Sequence, residues 1–109
     1  MAKTVNSISP FARRVYDALC RVPAGRVITY AALGQRIGCR SPRAIGQALR
    51  ANPFAPQVPC HRVIASDLAP GGFQGKRAGA ALDRKLRLLA SEGVEFRRGR
   101  LADPSRLIA

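Results

Sequence analysis

Between Ser9 and Val22 the apolar residues Phe11, Val15, Leu19 and Val22 recur at three- and four-residue intervals, the spacing that lines one face of an α-helix. Ser9 and Pro10 supply an N-cap and a proline at the first helical position, and Pro23-Ala24-Gly25 ends the helix in a turn. Arg26-Val27-Ile28-Thr29 is short and β-prone. Thr29 can then cap a helix over 30–37, with Ala32, Leu33 and Ile37 on one face and Gly38 as a C-cap. After Cys39-Arg40, Ser41 caps a second helix over 42–51 with Pro42 at its first position. Two short helices joined by three or four residues including Gly predict a helix-turn-helix. In its second helix Ile45 and Leu49 face inward, while Arg43, Gln47 and Arg50 lie on the outer side. Ala44, Gly46 and Ala48 keep that helix low in profile, so it can sit deep against a duplex groove.

Asn52-Pro53 stops the second helix, and Pro56 and Pro59 keep the following segment extended. Residues 58–65 read as apolar or β-prone around an insertion, Cys60-His61-Arg62. Gly71-Gly72-Phe73-Gln74-Gly75 predicts a flexible loop carrying one aromatic. Leu82, Leu86 and Leu89 mark an amphipathic helix over 80–91, ending at Gly93. The tail, Val94-Glu95-Phe96 followed by Arg97-Arg98-Gly99-Arg100, can form a small hairpin. With no internal repeat and no domain boundary, the expectation is one small α+β domain over 1–109 built around a winged helix-turn-helix. Its core spans about 9–96, and 1–8 and 97–109 are peripheral.

Size and charge narrow the function. A chain of 109 residues fits one domain, which buries roughly two-thirds of its unfolded surface on folding. No apolar run reaches the roughly 20 residues of a membrane span. The first residues lack the apolar region of a signal peptide, so a soluble cytoplasmic monomer is expected (nucleoid-associated if bacterial, nuclear if eukaryotic). Nineteen basic residues against six acidic ones give a net charge of +13. Most of the basic residues are Arg, whose planar fork suits bidentate phosphate contacts. Nucleic acid is the expected partner, against the plainer reading of a solvated basic surface. The three cysteines, an odd number without a secretory signal, argue against a disulfide framework. One His and no C-x-x-C cannot complete the usual zinc pattern, so no metal is expected. Cys20 reads as a small hydrophobe near a helix end, and Cys39 as a structural residue of the turn.

Cys60 alone has neighbours suited to activating a thiol. A free thiol is mostly protonated at neutral pH, and a nearby His or Arg lowers its pKa. Adjacent residues of an extended segment point to opposite faces, so His61 would reach the sulfur only through a water or a local turn of the backbone. The alternative is a buried cysteine of a core strand, with His61 bonded elsewhere. Tyr30 has a packing reading, Arg43 that of a solvated helix-end residue and Glu92 that of a plain helix-end acid.

The order of motifs resembles the C-terminal domain of the O6-alkylguanine-DNA alkyltransferase family, including its alkyltransferase-like relatives. The resemblance covers roughly 11–96. It rests on Val27-Ile28-Thr29-Tyr30, Pro42-Arg43-Ala44-Ile45-Gly46-Gln47-Ala48-Leu49, Asn52-Pro53, Pro59-Cys60-His61-Arg62-Val63-Ile64, Gly71-Gly72-Phe73 and Leu88-Leu89-Ala90-Ser91-Glu92-Gly93. It implies that Cys60 accepts the alkyl group from guanine O6, with His61, Glu92 and a water forming the relay that makes the thiolate. It further implies that Tyr30 hydrogen-bonds the flipped guanine and that Arg43 fills the gap left in the stack. Gln47, Arg50 and Arg62 would add DNA contacts, and Asn52 would brace the turn behind the recognition helix. Pro59, Phe73 and Gln74 would line the lesion pocket. The implied partner is double-stranded DNA containing O6-alkylguanine, with no cofactor.

Three features depart from the family pattern. The usual N-terminal domain is missing, giving the expectation of a stand-alone reactive domain. Phe73 stands where many members have Tyr. The 73–92 segment and the tail resemble the compact alkyltransferase-like proteins, which bind and flip alkylguanine but lack the reactive Cys. The first expectation is therefore a single-use alkyltransferase. The second is a lesion sensor that recruits a repair-pathway partner, and the third is a basic winged-helix regulator with an inert thiol.

Overall fold

A computed structural model describes residues 8–54, 57–71 and 79–108. Helix α1 (Pro10–Leu19) starts where Ser9 Oγ accepts from the Ala12 amide at 3.0 Å. Strand β1 (Val27–Thr29) leads directly into helix α2 (Tyr30–Arg36), capped by the Thr29 hydroxyl. The C-terminus of α2 closes as a Schellman motif: Cys39 N–H donates to Gly34 O and Gly38 N–H to Gln35 O, with Gly38 at φ +71°. The chain doubles back so tightly that a Cβ on Gly34 would stand 2.5 Å from the Cys39 carbonyl oxygen. Ser41 then caps helix α3 (Pro42–Arg50) through the Ala44 amide at 3.1 Å. This is the expected helix-turn-helix, with both helices one residue shorter than the apolar pattern extends.

Beyond α3 come a 3-10 turn at Cys60–Arg62, strand β2 (Val63–Ile64) and helix α4 (Ala80–Ser91). A hairpin of β3 (Phe96–Arg97) and β4 (Arg100–Leu101), a second 3-10 turn at Pro104–Arg106 and strand β5 (Leu107–Ile108) complete the chain. The hairpin expected in the tail is therefore present, and α4 has the predicted bounds.

A three-stranded parallel sheet in the order β2-β1-β5 divides the core. Side chains alternate across a strand, and the register sorts them cleanly. Val63, Ile28 and Ile108 form a row facing a large cluster built from α1, α2 and α3, including Val15, Leu19, Leu33, Ile45 and Leu49. Ile64, Val27 and Leu107 face a smaller cluster with Leu89 of α4, Val94 and Leu101 of β4. The helix-turn-helix thus lies on one side of the sheet and the hairpin on the other.

Two expectations are corrected. Residues 97–109 are not peripheral, because β5 pairs with the central strand and Arg106 donates to the Gly25 carbonyl at 3.1 Å. A two-residue apolar strand is too short to stand out in the pattern of a charged tail. Cys20 is not a core hydrophobe either, since it caps α1 on the exposed surface while Val22 turns inward.

Candidate DNA-contacting helix and enclosed thiol

Helix α3 is held from behind. Tyr16 of α1 donates its hydroxyl to the Ala48 carbonyl at 2.7 Å, and its ring meets Phe54 edge-on. An Arg14 guanidinium nitrogen donates to the Ile37 carbonyl, tying α1 to the end of α2. With Ile45, Ala48 and Leu49 buried, the outer side of α3 presents Arg43, Gln47 and Arg50 to solvent, as the pattern predicted.

The segment after α3 is reined in by Asn52, whose Nδ2 donates to Val58 O and whose Oδ1 accepts from the Phe54 amide, both at 2.9 Å. Buried Pro59 then adopts φ −82° and ψ 68°, and Cys60 N–H donates back to Val58 O at 2.8 Å. That is an inverse γ-turn, and it launches the 3-10 turn at Cys60. The sequence expectation of an extended Cys60-His61 pair is therefore corrected. The fixed φ of Pro59 and the Asn52 tie turn the backbone, so the argument for opposite faces no longer applies.

Cys60 is 9% exposed and belongs to the large core cluster. Burial pushes its thiol pKa up, against a lowering pull from the Asn52 side-chain hydrogen bond and the Lys85 charge. His61, 3% exposed, shares a 3.0 Å hydrogen bond between Nε2 and Glu92 Oε2. Burial lowers its pKa in spite of Glu92, so the ring is neutral at pH 7. A neutral ring that donates from Nε2 keeps its lone pair on Nδ1.

Glu92 reaches this position as the C-cap of α4, where a second Schellman closure forms through Val94 N–H to Leu89 O and Gly93 N–H to Ala90 O. Burial alone would raise its carboxyl pKa, but hydrogen bonds from Arg62 and His61 outweigh it and hold the carboxyl below the ordinary value.

Arg62 was expected among the DNA contacts, and the geometry corrects this. Its Nε and one terminal nitrogen grip Glu92 at 3.0 and 2.7 Å, and the other donates to Val22 O at 2.8 Å. Three of its five N–H donors are thereby committed within the protein, so its main role here is to hold Glu92. Tyr30, at the first position of α2, is half-buried, and the Cβ position of Gly71 lies 3.3 Å from its ring. Phe73 and Gln74 lie outside the described residues.

Sequence reasoning missed Lys85. Its side chain is fully buried, and Nζ donates to Val63 O at 2.7 Å and Pro70 O at 2.5 Å. Desolvation lowers its pKa to about 8, opposed by attraction to Cys60. The ammonium thus joins β2 to Pro70, and its charge acts on the Cys60 thiol. Ala81, Lys85 and Leu89 form the buried stripe of α4 at four-residue spacing. A lysine at the centre of that stripe, in a chain whose cations are nearly all Arg, was the available signal.

The outer side of α3 thus presents basic and polar side chains to solvent, and a sheltered thiol lies in the core cluster behind it. Residues 10–94 match the family described as 6-O-methylguanine DNA methyltransferase, DNA binding domain. The chain belongs to this family. A DNA base-flipping protein of Thermus thermophilus is 49% identical over 87 residues, covering 80% of this chain and 55% of its own length. A methylated-DNA--protein-cysteine methyltransferase of Methanothermobacter thermautotrophicus is 46% identical over 86 residues, covering 79% and 46%. The crystal structure of S. pombe Atl1 in complex with damaged DNA containing O6-carboxymethylguanine aligns with a TM-score of 0.80 at 30% identity. That alignment covers 94% of this chain and 97% of the other. The present chain spans about half the length of the curated relatives it matches.

Proposed function

We propose that this protein repairs double-stranded DNA by flipping O6-alkylguanine out of the duplex and moving the alkyl group irreversibly to Cys60. The observation that carries the reading is the sequence of contacts from the thiol's neighbour outward: His61 to Glu92, Glu92 to Arg62, and the Lys85 ammonium on the other side. A base inside the stack cannot reach a thiol behind α3, so extrusion must come first, at about a few kcal/mol. Arg43, exposed in the first turn of α3, is the residue suited to occupy the vacated space.

The resting thiol is protonated, because burial disfavours its anion. His61 Nδ1, directly or through one water, takes the proton as the sulfur attacks. Glu92 then stabilises the imidazolium, while Lys85 favours the thiolate electrostatically. The new bond joins Cys60 Sγ to the alkyl carbon, and the bond from that carbon to guanine O6 breaks. Its electron pair stays on the guanine, which takes a proton by way of the Tyr30 phenol. The proton left on His61 balances the one delivered. The thioether has no hydrolytic return, so each molecule acts once.

A second reading has its own support. Burial raises the thiol pKa, and the relative named a base-flipping protein is as similar as the named methyltransferase. In this reading the protein flips and marks the lesion without transferring its alkyl group. An intact mass after incubation with a duplex containing one O6-methylguanine separates the two. Addition of one methyl, lost in Cys60→Ala, establishes transfer. Lesion binding with unchanged mass establishes the sensor.

A further inference from the structure

The β3–β4 hairpin ends in a two-residue loop, Arg98-Gly99, between the paired residues Arg97 and Arg100. Both loop residues have positive φ, +53° at Arg98 and +78° at Gly99, the mark of a type I′ turn. Such a turn favours Asn, Asp or Gly at its first central position, and an L-residue with a long side chain is strained there. This turn carries Arg. The residues flanking it are also Arg, placed directly across the ladder from each other, where like charges repel.

Three guanidiniums therefore crowd four residues in an arrangement that local structure opposes twice. All three residues are exposed. No carboxylate neutralises them among the described residues: Glu95, the nearest in sequence, makes no ion pair, and Asp103 is engaged with Ser105 and Arg106. A bound polyanion relieves the repulsion, and planar forks on a rigid turn suit the oxygens of successive phosphodiesters.

The position of the tip decides which DNA it meets. Leu101 and Phe96 root the hairpin in the cluster under Val27 and Ile64, on the side of the sheet away from α3. The outer side of α3 faces away from the other cluster. A duplex seated on α3 is thus separated from Arg97, Arg98 and Arg100 by the helical layer and the sheet. We propose that the hairpin tip is a second DNA-backbone contact surface, which grips a different duplex segment from the one on α3.

The proposal rests on the DNA-binding reading of α3, so the test measures that separately. Biotinylated duplexes with and without O6-methylguanine are bound to beads with the full-length protein, and a fluorescent undamaged duplex is added. The wild-type protein is expected to retain the fluorescent duplex on both kinds of bead. The variant R97A/R98G/R100A should retain at least ten-fold less, while its affinity for the bead duplex changes less than three-fold. Its thermal midpoint should not fall, because Arg98→Gly removes the positive-φ strain and the charge pairing is gone.

In the wild type, the salt dependence of fluorescent-duplex retention should be steeper by about two to three in log–log slope than that of any residual retention by the variant. Wild-type protein that binds the bead duplex but retains no second one overturns the proposal. So does a variant that retains as much as its parent. Loss of lesion preference with bridging intact would instead count against the repair function and leave the hairpin assignment standing.

Discussion

At the scale of the residue, Lys85 illustrates how a charged group can be held where an apolar one would be expected. In the folded chain its pKa falls from 10.5 to about 8. A base with a depressed folded pKa destabilises the fold below that value. The penalty, roughly 3 kcal/mol, disappears as pH rises from 8 towards 10.5. Cys60 and Tyr16, whose folded pKa values are raised by burial, act in the opposite sense over the alkaline range, so comparison of matched variants isolates the lysine. Urea titrations should show the stability of Lys85→Met relative to its parent falling by roughly 2–3 kcal/mol between pH 7.5 and pH 10. A pH-independent difference would mean that Lys85 is not desolvated as described.

Glu92 has the complementary behaviour. Its folded pKa is depressed, so its contribution is present above the ordinary value of 4.5 and is lost as pH falls through the folded one. Glu92→Gln should flatten that acid limb and lower stability by about 2 kcal/mol through the weakened Arg62 and His61 bonds. It should also slow the proposed alkyl transfer by about 10²–10⁴, read by single-turnover kinetics, because the imidazolium loses its counter-charge.

At the scale of the element, helix α2 and the outer side of α3 use glycine for different reasons. Gly34 is glycine because the returning chain occupies the space of its Cβ. Gly34→Ala should lower stability by about 1–3 kcal/mol, as overpacking does, since the obstructing atom is backbone. Gly46 has nothing within 4 Å of its Cβ position. Gly46→Ala should raise helix stability by about 0.5–1 kcal/mol and weaken DNA binding in the same preparation. Thermal melts with fluorescence anisotropy read both effects, and equal behaviour of the two alanines would contradict the assigned geometry.

The capped elements were the legible ones. Ser9-Pro10, Thr29, Ser41-Pro42 and the Glu92-Gly93 end each announce a boundary through local backbone chemistry, and the helices begin or end there. The turn at Cys60 was not legible. It depends on Asn52 reaching across to Val58, a contact that no periodicity encodes. Lys85 was hidden for a related reason: its carbonyl partners, Val63 and Pro70, lie 22 and 15 residues away respectively. Arg62 is expected to face DNA from its place in the family motif, whereas its direction is set by Glu92, thirty residues later.

At the scale of the whole molecule, the sheet order β2-β1-β5 makes the C-terminal residues part of the frame that carries the thiol. Leu107 and Ile108 add apolar rows to both faces of β1, and Arg106 clasps the turn at Gly25. Truncation after Ala102 should lower stability by about 3 kcal/mol, from two half-buried aliphatic side chains and the lost pairing. The loss should appear as a lower urea midpoint with retained helical circular dichroism. An unchanged midpoint would show that β5 contributes nothing to the frame.

The acceptor sulfur of the proposed transfer is itself a member of the hydrophobic core, packed in the same cluster as Val63 and Leu33. A methyl group delivered there, at a residue only 9% exposed, would be housed largely among packed side chains, at about 1–3 kcal/mol. Fresh and spent molecules would then differ in more than one alkyl group. The reacted form would melt several degrees lower and open more often, giving it a shorter lifetime wherever unfolding is policed. The burial that shelters the nucleophile would also date each molecule, separating those that have acted from those still able to act.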